Sequence, residues 1–334
     1  MFLVLFSVIF ITVILLAPTF DKLLNDAVRN QVIEEVNLGT LKFQNAGDRK
    51  SYINSQIELR SKTLGLDKDP FNLSKLFHRV VSVMTLDLGK SHFFTTDYGS
   101  SNVRDIIFEK APKTILLFTT ATISVLVIGI FLGTYVAGRQ GSWWDKFNSV
   151  NAIFGNSFPS WWIAMIMILL FAFTLHLFPA RATPLSSPSD PNYIFDLLYH
   201  MTLPLITLIV ASFGSWAYTV RYFLINILNE DFIYAKRTMG ISGRKILYSH
   251  ALRNAGPPVA TAVGLSLASS FGGSFITEAV FDWPGMGKLL YDAIILLDIP
   301  IIIGLTYVST VIFLVTIFIA DIAYSLLDPR VKGS

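Results

Sequence analysis

The sequence predicts an all-α membrane protein with six transmembrane helices and a polar insert after the first. Three observations carry this. Of the 334 residues, 53% are hydrophobic and 15% charged, with a mean hydropathy of +0.57, whereas soluble domains carry about 25% charged residues. Six stretches approach the ~20 apolar residues that a spanning helix needs. Lysine and arginine are partitioned unequally between the loops that join them. The net charge of +3 is too slight to indicate a nucleic-acid partner. Cysteine is absent, which excludes disulfides, thiolate metal sites and thiol nucleophiles. The five histidines, His78, His92, His176, His200 and His250, are scattered, so a His-based metal site is not expected.

The first stretch, Phe2–Ala17, is followed by Pro18. It lacks a basic flank and a small-x-small cleavage pattern, so it reads as a retained helix rather than a cleaved leader. The others are Thr114–Ala137, Trp161–Phe178 (with a start nearer Asn151 as the alternative), Thr202–Val220, Val259–Phe281 and Ile299–Ala320. With the N-terminus inside, the inner segments carry ten cations: Arg139, Lys146, Arg221, Lys236, Arg237, Arg244, Lys245, Arg253, Arg330 and Lys332. The short outer loops carry two, Arg181 and Lys288. This asymmetry places both termini in the cytoplasm. The chain then divides into a first helix (1–17), an extracytoplasmic insert of about 95 residues (18–113), and a five-helix core (114–334) containing an inner loop, 221–257. The insert holds 14 Lys/Arg and 12 Asp/Glu. Apolar residues at helical spacing over Leu23–Val36 and Leu73–Met84 predict a small, partly helical cap. Asn72-Leu73-Ser74 fits the glycosylation acceptor pattern, which polar loops also produce by chance.

Catalytic patterns are missing. There is no Gly-x-Ser-x-Gly and no His-Glu-x-x-His. Gly89-Lys90-Ser91 has the tail of a phosphate-binding loop, but Met84 stands where its first glycine belongs, and the segment is expected outside. No catalytic residue, bound cofactor or metal is assigned to the chain. Two acids lie near spans, Glu278 and Asp321, and both read as helix-end residues capped or paired near the headgroups. A secondary carrier, the rival of another class, calls for more buried charge. The fifth stretch is crowded with small residues, Ala262, Gly264, Ser266, Ala268, Ser269, Ser270, Gly272, Gly273 and Ser274. They permit close helix packing and leave a mildly polar face to line a path, with Ser270 and Ser274 as candidates.

The inner loop is the most basic part of the inner face. Asn229 is placed to cap a short helix whose first turn holds Glu230 and Asp231 and whose end carries Lys236 and Arg237, with Gly240 at the exit. Phe232, Ala235 and Met239 give it an apolar face. Ser242 is placed to cap a second helix running to about Asn254, where Pro257 and Pro258 are expected to end it.

This loop resembles the cytoplasmic EAA loop of ABC importer membrane subunits. Ala235 and Gly240 hold the five-residue spacing, 241–249 fill the gap, and His250-Ala251-Leu252-Arg253-Asn254-Ala255 follows. Asp231-Phe232 and the His-Ala-Leu-Arg-Asn run resemble the dipeptide/oligopeptide permease branch, which also includes oligosaccharide and nickel transporters. Leu64-Gly65-Leu66-Asp67, Asp87–Ser91, Pro112–Thr114, Glu278–Gly287, Asp298-Ile299-Pro300, Ala320–Tyr324 and Leu327–Arg330 are similar to that branch in the same order, so the resemblance covers roughly 64–330. The chain departs from the branch at its start, and residues 18–63 match no part of the pattern.

The resemblance implies a type I ABC importer permease fold and half of a translocation path for peptides, with oligosaccharides as the alternative cargo. Implied partners are a second, non-identical permease subunit, two ABC ATPase subunits that hold ATP and Mg, an extracytoplasmic solute-binding protein, and membrane lipid. The implied ATPase-coupling residues are Asp231, Phe232, Tyr234, Ala235, Arg237, Met239, Gly240, Arg244, Lys245 and His250. Ala235 and Gly240 would act as steric contacts, and Arg237, Arg244 and Lys245 as charge contacts or headgroup anchors. The implied pathway or outer-gate residues are Ser270, Ser274, Glu278, Trp283, Pro284, Gly285 and Gly287.

Overall fold

The structure, a computed structural model, describes residues 2–37, 46–63, 66 and 69–327. In chain order the helices are α1 (Phe2–Asn37), α2 (Ala46–Thr63), α3 (Leu73–Met84), α4 (Val103–Ala137), α5 (Trp143–Ser157) and α6 (Ser160–Thr174). They continue with α7 (Tyr193–Leu228), α8 (Asp231–Thr238), α9 (Gly243–Gly272), α10 (Phe275–Phe281), α11 (Met286–Leu296) and α12 (Ile299–Leu327). Among the described residues there is no strand, only an isolated bridge between Lys90 and Asn102. Four helices, α1, α4, α7 and α12, are long and apolar enough to cross a membrane. The number becomes six if α5 with α6, bent by 104°, and α9 with α10, bent by 59°, each form one span. The chain packs as two compact units.

The first unit comprises 1–94, 101–104 and 297–310. Its α1 runs on through Pro18, where the sequence predicted a stop. Proline removes one helical donor and crowds the preceding turn. Here that loss is offset on the far side of Pro18. Asp21, buried, accepts from Lys75 Nζ at 2.6 Å and Arg79 Nη2 at 2.7 Å, and the Arg79 guanidinium lies 4.5 Å over the Phe20 ring. Val28, Val32 and Val36 bury one helical face beyond it. The expected helix at Leu73–Met84 is α3, burying Leu76, Val80 and Val83. Asn72, the asparagine of the acceptor pattern, is its N-cap and receives the Lys75 N–H.

The phosphate-loop lookalike has a structural task in this unit. Gly89 takes φ +75°, and Ser91 Oγ donates to Asp298 at 2.6 Å. The same carboxylate, fully buried, also accepts the His92 and Phe93 N–H groups. Asp298 stands just before α12, and its carbonyl accepts the Ile302 N–H. Two motifs some two hundred positions apart in the chain thus meet at one carboxylate.

The second unit comprises 95–100, 105–296 and 311–334. Several helices depart from the expected spans. α4 begins at Val103 rather than Thr114 and contains Pro112. The third expected span, Trp161–Phe178, is α6, which ends at Thr174, and the alternative start near Asn151 is interrupted at Pro159, which separates α5 from α6. Much of the expected inner loop before it is α5, capped by Ser142, whose hydroxyl accepts from Asp145 N. α7 extends beyond Thr202–Val220 at both ends and contains Pro204. The expected second loop helix and the fifth span as far as Gly272 are a single rod, α9, whereas the end of that span is a separate helix, α10, bent from it by 59°. Pro257 and Pro258 lie inside it rather than ending it. Ala251, Ala255 and Val259, at helical spacing on both sides of the prolines, are buried in one core, which outweighs the lost donors. A π-helical turn at Ile246–Ala251 loosens the backbone just before them.

Glycine lets these helices approach closely. A Cβ on Gly155 would stand 2.3 Å from the Ala211 carbonyl oxygen, and one on Gly133 would stand 2.5 Å from that of Ala217. The Asp321 side chain, Leu64, Gly65, Asp67 and residues 328–334 lie outside the described residues.

Candidate functional site

At one end of the second unit sits α8. α7 closes at Asn229, which ends that helix instead of capping the next, and Glu230 is the N-cap of α8 without a side-chain bond. Asp231 in the first turn and Lys236 and Arg237 in the last suit the helix dipole. The exit is a Schellman turn. Gly240 N–H donates to the Arg237 carbonyl at 3.0 Å, and Ile241 N–H donates to the Lys236 carbonyl at 3.2 Å. Gly240 holds φ +75°, a region where a Cβ is strained, with open space around it.

One residue anchors α8. Ile233, fully buried, enters a core made by Val220, Leu224 and Leu228 of α7 and by Ile246, Leu247 and Ala251 of α9. The sequence pointed instead to Phe232, Ala235 and Met239 as the apolar face. Phe232 packs at the edge of that core, whereas Ala235 is exposed and Met239 is 76% exposed. Tyr234 is 70% exposed, so Tyr234, Ala235 and Met239 form an outward tip. An apolar run of three, Phe232-Ile233-Tyr234, does not itself say which member points inward. Ile233→Val is expected to lower the stability of the purified protein by about 0.5–1.5 kcal/mol, read as a lower thermal midpoint. Arg237, Arg244 and Lys245 are exposed. His250 lies in the π-helical turn, its Nε2 buried and, among the described residues, without a hydrogen-bond partner.

Close to the same end, Arg221 of α7 holds Asp145 of α5. The guanidinium Nε and Nη2 both donate to the carboxylate, the second at 2.9 Å, and Gly141 N–H adds a third bond. The two side chains are 20% and 6% exposed. Arg221 was visible in the sequence only as a loop cation, and nothing in the spacing named its partner.

The Glu278–Gly287 segment forms a buried knot. Glu278, fully buried in α10, accepts from Thr114 Oγ1 of α4 at 3.0 Å, Gly287 N at 2.8 Å and Lys288 N at 3.3 Å. Thr114 Oγ1 in turn accepts from Met286 N at 2.8 Å, and the Trp283 indole donates to the Lys113 carbonyl at 3.1 Å. A Cβ on Gly285 would lie 2.2 Å from the Glu278 carboxylate, and one on Gly273 would lie 2.8 Å from it. These glycines clear the space for the carboxylate, and Pro284 completes the turn between Trp283 and Gly285. Lys288, between Asp282 at 3.1 Å and Asp292 at 2.6 Å, has a pKa that burial pulls down and the two carboxylates raise further, to above its ordinary value.

A cavity of about 490 Å³ is bordered by α4, α5, α7 and α9. Thr122, Asn156, Ser212, Ser215, Ser269 and Ser270 give it hydroxyl and amide groups. Ser270 bonds Thr119 at 3.0 Å, and Ser215 donates to Asn156 at 3.0 Å. Of the expected pathway residues the structure brings Ser270 here. Ser274 instead pairs with Thr277 at 2.9 Å, and Glu278, Trp283, Gly285 and Gly287 belong to the knot. The hydroxyls of α7 were missed because a serine in an apolar span does not reveal which neighbour it faces. Among the described residues no cluster of three or more His, Asp or Glu could hold a metal.

Apolar helices long enough to cross a membrane, a short helix on the loop between two of them and a polar cavity among them are the parts of a membrane transport component. Residues 115–333 match the family described as the binding-protein-dependent transport system inner membrane component, and the chain belongs to this family, the type I permeases of ABC importers. It is 34% identical over 242 residues to the oligopeptide transport system permease protein AppB of Bacillus subtilis, covering 71% of this chain and 76% of that one. It is 34% identical over 264 residues to the dipeptide transport system permease protein DppB of the same organism, covering 79% and 80%. A solved structure of the MetNI methionine ABC transporter in inward-facing form aligns with a TM-score of 0.47 at 18% identity, over 67% of this chain and 99% of that chain.

Proposed function

We propose that the chain forms half of the translocation path of an ATP-driven peptide importer. A solute-binding protein delivers the peptide on the outer side, a second and non-identical permease subunit completes the path, and two ATPase subunits carrying ATP and Mg dock on α8. Both termini are cytoplasmic, as the loop cations favour. The observation that carries this reading is α8 itself: a short helix fixed by Ile233 to α7 and α9, with Tyr234, Ala235 and Met239 presented outward. Movement of a docked subunit would reach the helices beside the cavity directly. The names of the relatives support peptide as cargo, and the Ser, Thr and Asn groups of the cavity suit peptide amides. Glu278 and the Trp283–Gly287 turn hold the outer end of α10 to α4 and act as a gate support rather than a peptide contact.

The test is co-purification in mild detergent with the products of neighbouring genes, followed by intact-complex mass analysis and peptide uptake in proteoliposomes. A particle with a second permease and two ATPases that imports di- or oligopeptides only with ATP and a binding protein is the expected result. A lone chain or homo-oligomer without ATPase would overturn the proposal.

A further inference from the structure

A cavity of about 940 Å³ opens beside α8. Three arginines border it, from three places: Arg139 in the α4–α5 turn, Arg237 in the last turn of α8 and Arg244 in the first turn of α9. No acidic side chain is among the residues that line it. Among the described residues none of the three guanidiniums joins an ion pair; Arg139 lies 4.0 Å over the Tyr135 ring. Three cations bordering one cavity with no acidic lining residue repel one another and attract an anion.

The surroundings indicate where that anion comes from. Trp144 meets Tyr135 edge-on at 6.5 Å, and Trp143, 67% exposed, stacks on Phe147 at 5.4 Å. Exposed Tyr and Trp are typical of headgroup depth. From there α5 continues with exposed Val150 and Ile153, a face for acyl chains. Basic pockets at the cytoplasmic ends of membrane helices suit anionic headgroups.

We propose that this cavity binds the phosphate of an anionic phospholipid of the inner leaflet, bridging Arg139 to Arg237 and Arg244. The proposal rests on the cytoplasmic placement of α8 given above. The lipid then ties the coupling helix to the α4–α5 turn and makes the position of that helix depend on leaflet composition.

The test uses the full chain in mild detergent, titrated with dioleoylphosphatidylglycerol, dioleoylphosphatidylcholine or inorganic phosphate and read by native mass spectrometry. The phosphatidylglycerol adduct is expected to survive where the phosphatidylcholine adduct does not. The double variant Arg139→Gln/Arg244→Gln, altered only at exposed positions, is expected to lose about thirtyfold in retention, while Arg181→Gln matches the parent chain. Equal retention of the two lipids, or undiminished retention by the double variant, would overturn the site. So would displacement by millimolar phosphate, or by the ATPase subunits, which would make an acidic protein surface the occupant.

The readout needs no ATPase, so it stands apart from coupling. Because the chain has no cysteine, a single Gln140→Cys label reports sidedness. Outside labelling sinks the topology and the lipid source together. Inside labelling with failed retention sinks the lipid site alone.

Discussion

Gly240→Trp is expected to leave the permease inserted and assembled while cutting ATP-driven uptake on the order of tenfold or more. A Cβ at Gly240 would have no neighbouring heavy atom within 4 Å, so the side chain starts into open space. The strain comes from the backbone: an L side chain at φ +75° costs about 1–2 kcal/mol. The Schellman turn is exposed, and the anchor Ile233 lies a turn and more away, so the penalty falls on the end of α8 rather than on the core. The end of α8 is where a partner would press. ATP hydrolysis should therefore persist in the assembled complex without matching uptake, and Gly240→Ala should fall between the two. Uptake by the tryptophan variant at the parent rate would remove α8 from the coupling route.

Asp145→Ala is expected to destabilise the permease by about 3–5 kcal/mol, because it strands a largely buried guanidinium. Arg221 loses both donors' acceptor, and Gly141 N–H loses its own. The readout is the thermal midpoint of the purified complex together with its yield. The double variant Asp145→Ala/Arg221→Leu should recover much of the loss, since no unpaired charge remains. A double variant as unstable as the single one would show that Asp145 acts through packing, not through its charge.

The sequence displayed the spans well and their ends poorly. Lipid-facing length is a property of composition, and Ile299 as the start of α12 was legible for that reason. Proline misled at three positions, though Pro204 and Pro300 fell inside expected spans and are helical. Pro18, Pro257 and Pro258 read as stops, yet ion pairs or buried seams on their far side keep the helices going. Pro159 does mark a break, and local sequence does not separate it from the others. α8 was legible through its charges and Gly240, but its anchor was not, because Ile233 is chosen by α7 and α9. The partners of Asp145, Glu278 and Asp298 lie far along the chain, and no spacing rule reaches them.

The continuity of α9 has a mechanical consequence. From Gly243 to Gly272 it is one rod of about 45 Å at the usual helical rise. Ile246, Leu247 and Ala251 clamp its near end to α8, Ser266, Ser269 and Ser270 sit on the cavity, and Gly273, at φ +65°, makes the bend before α10. Tilting such a rod by one degree about its near end sweeps the far end through nearly an ångström. Angular play of a few degrees at the short helix is thus enough to change the width of the path by the size of a methyl group.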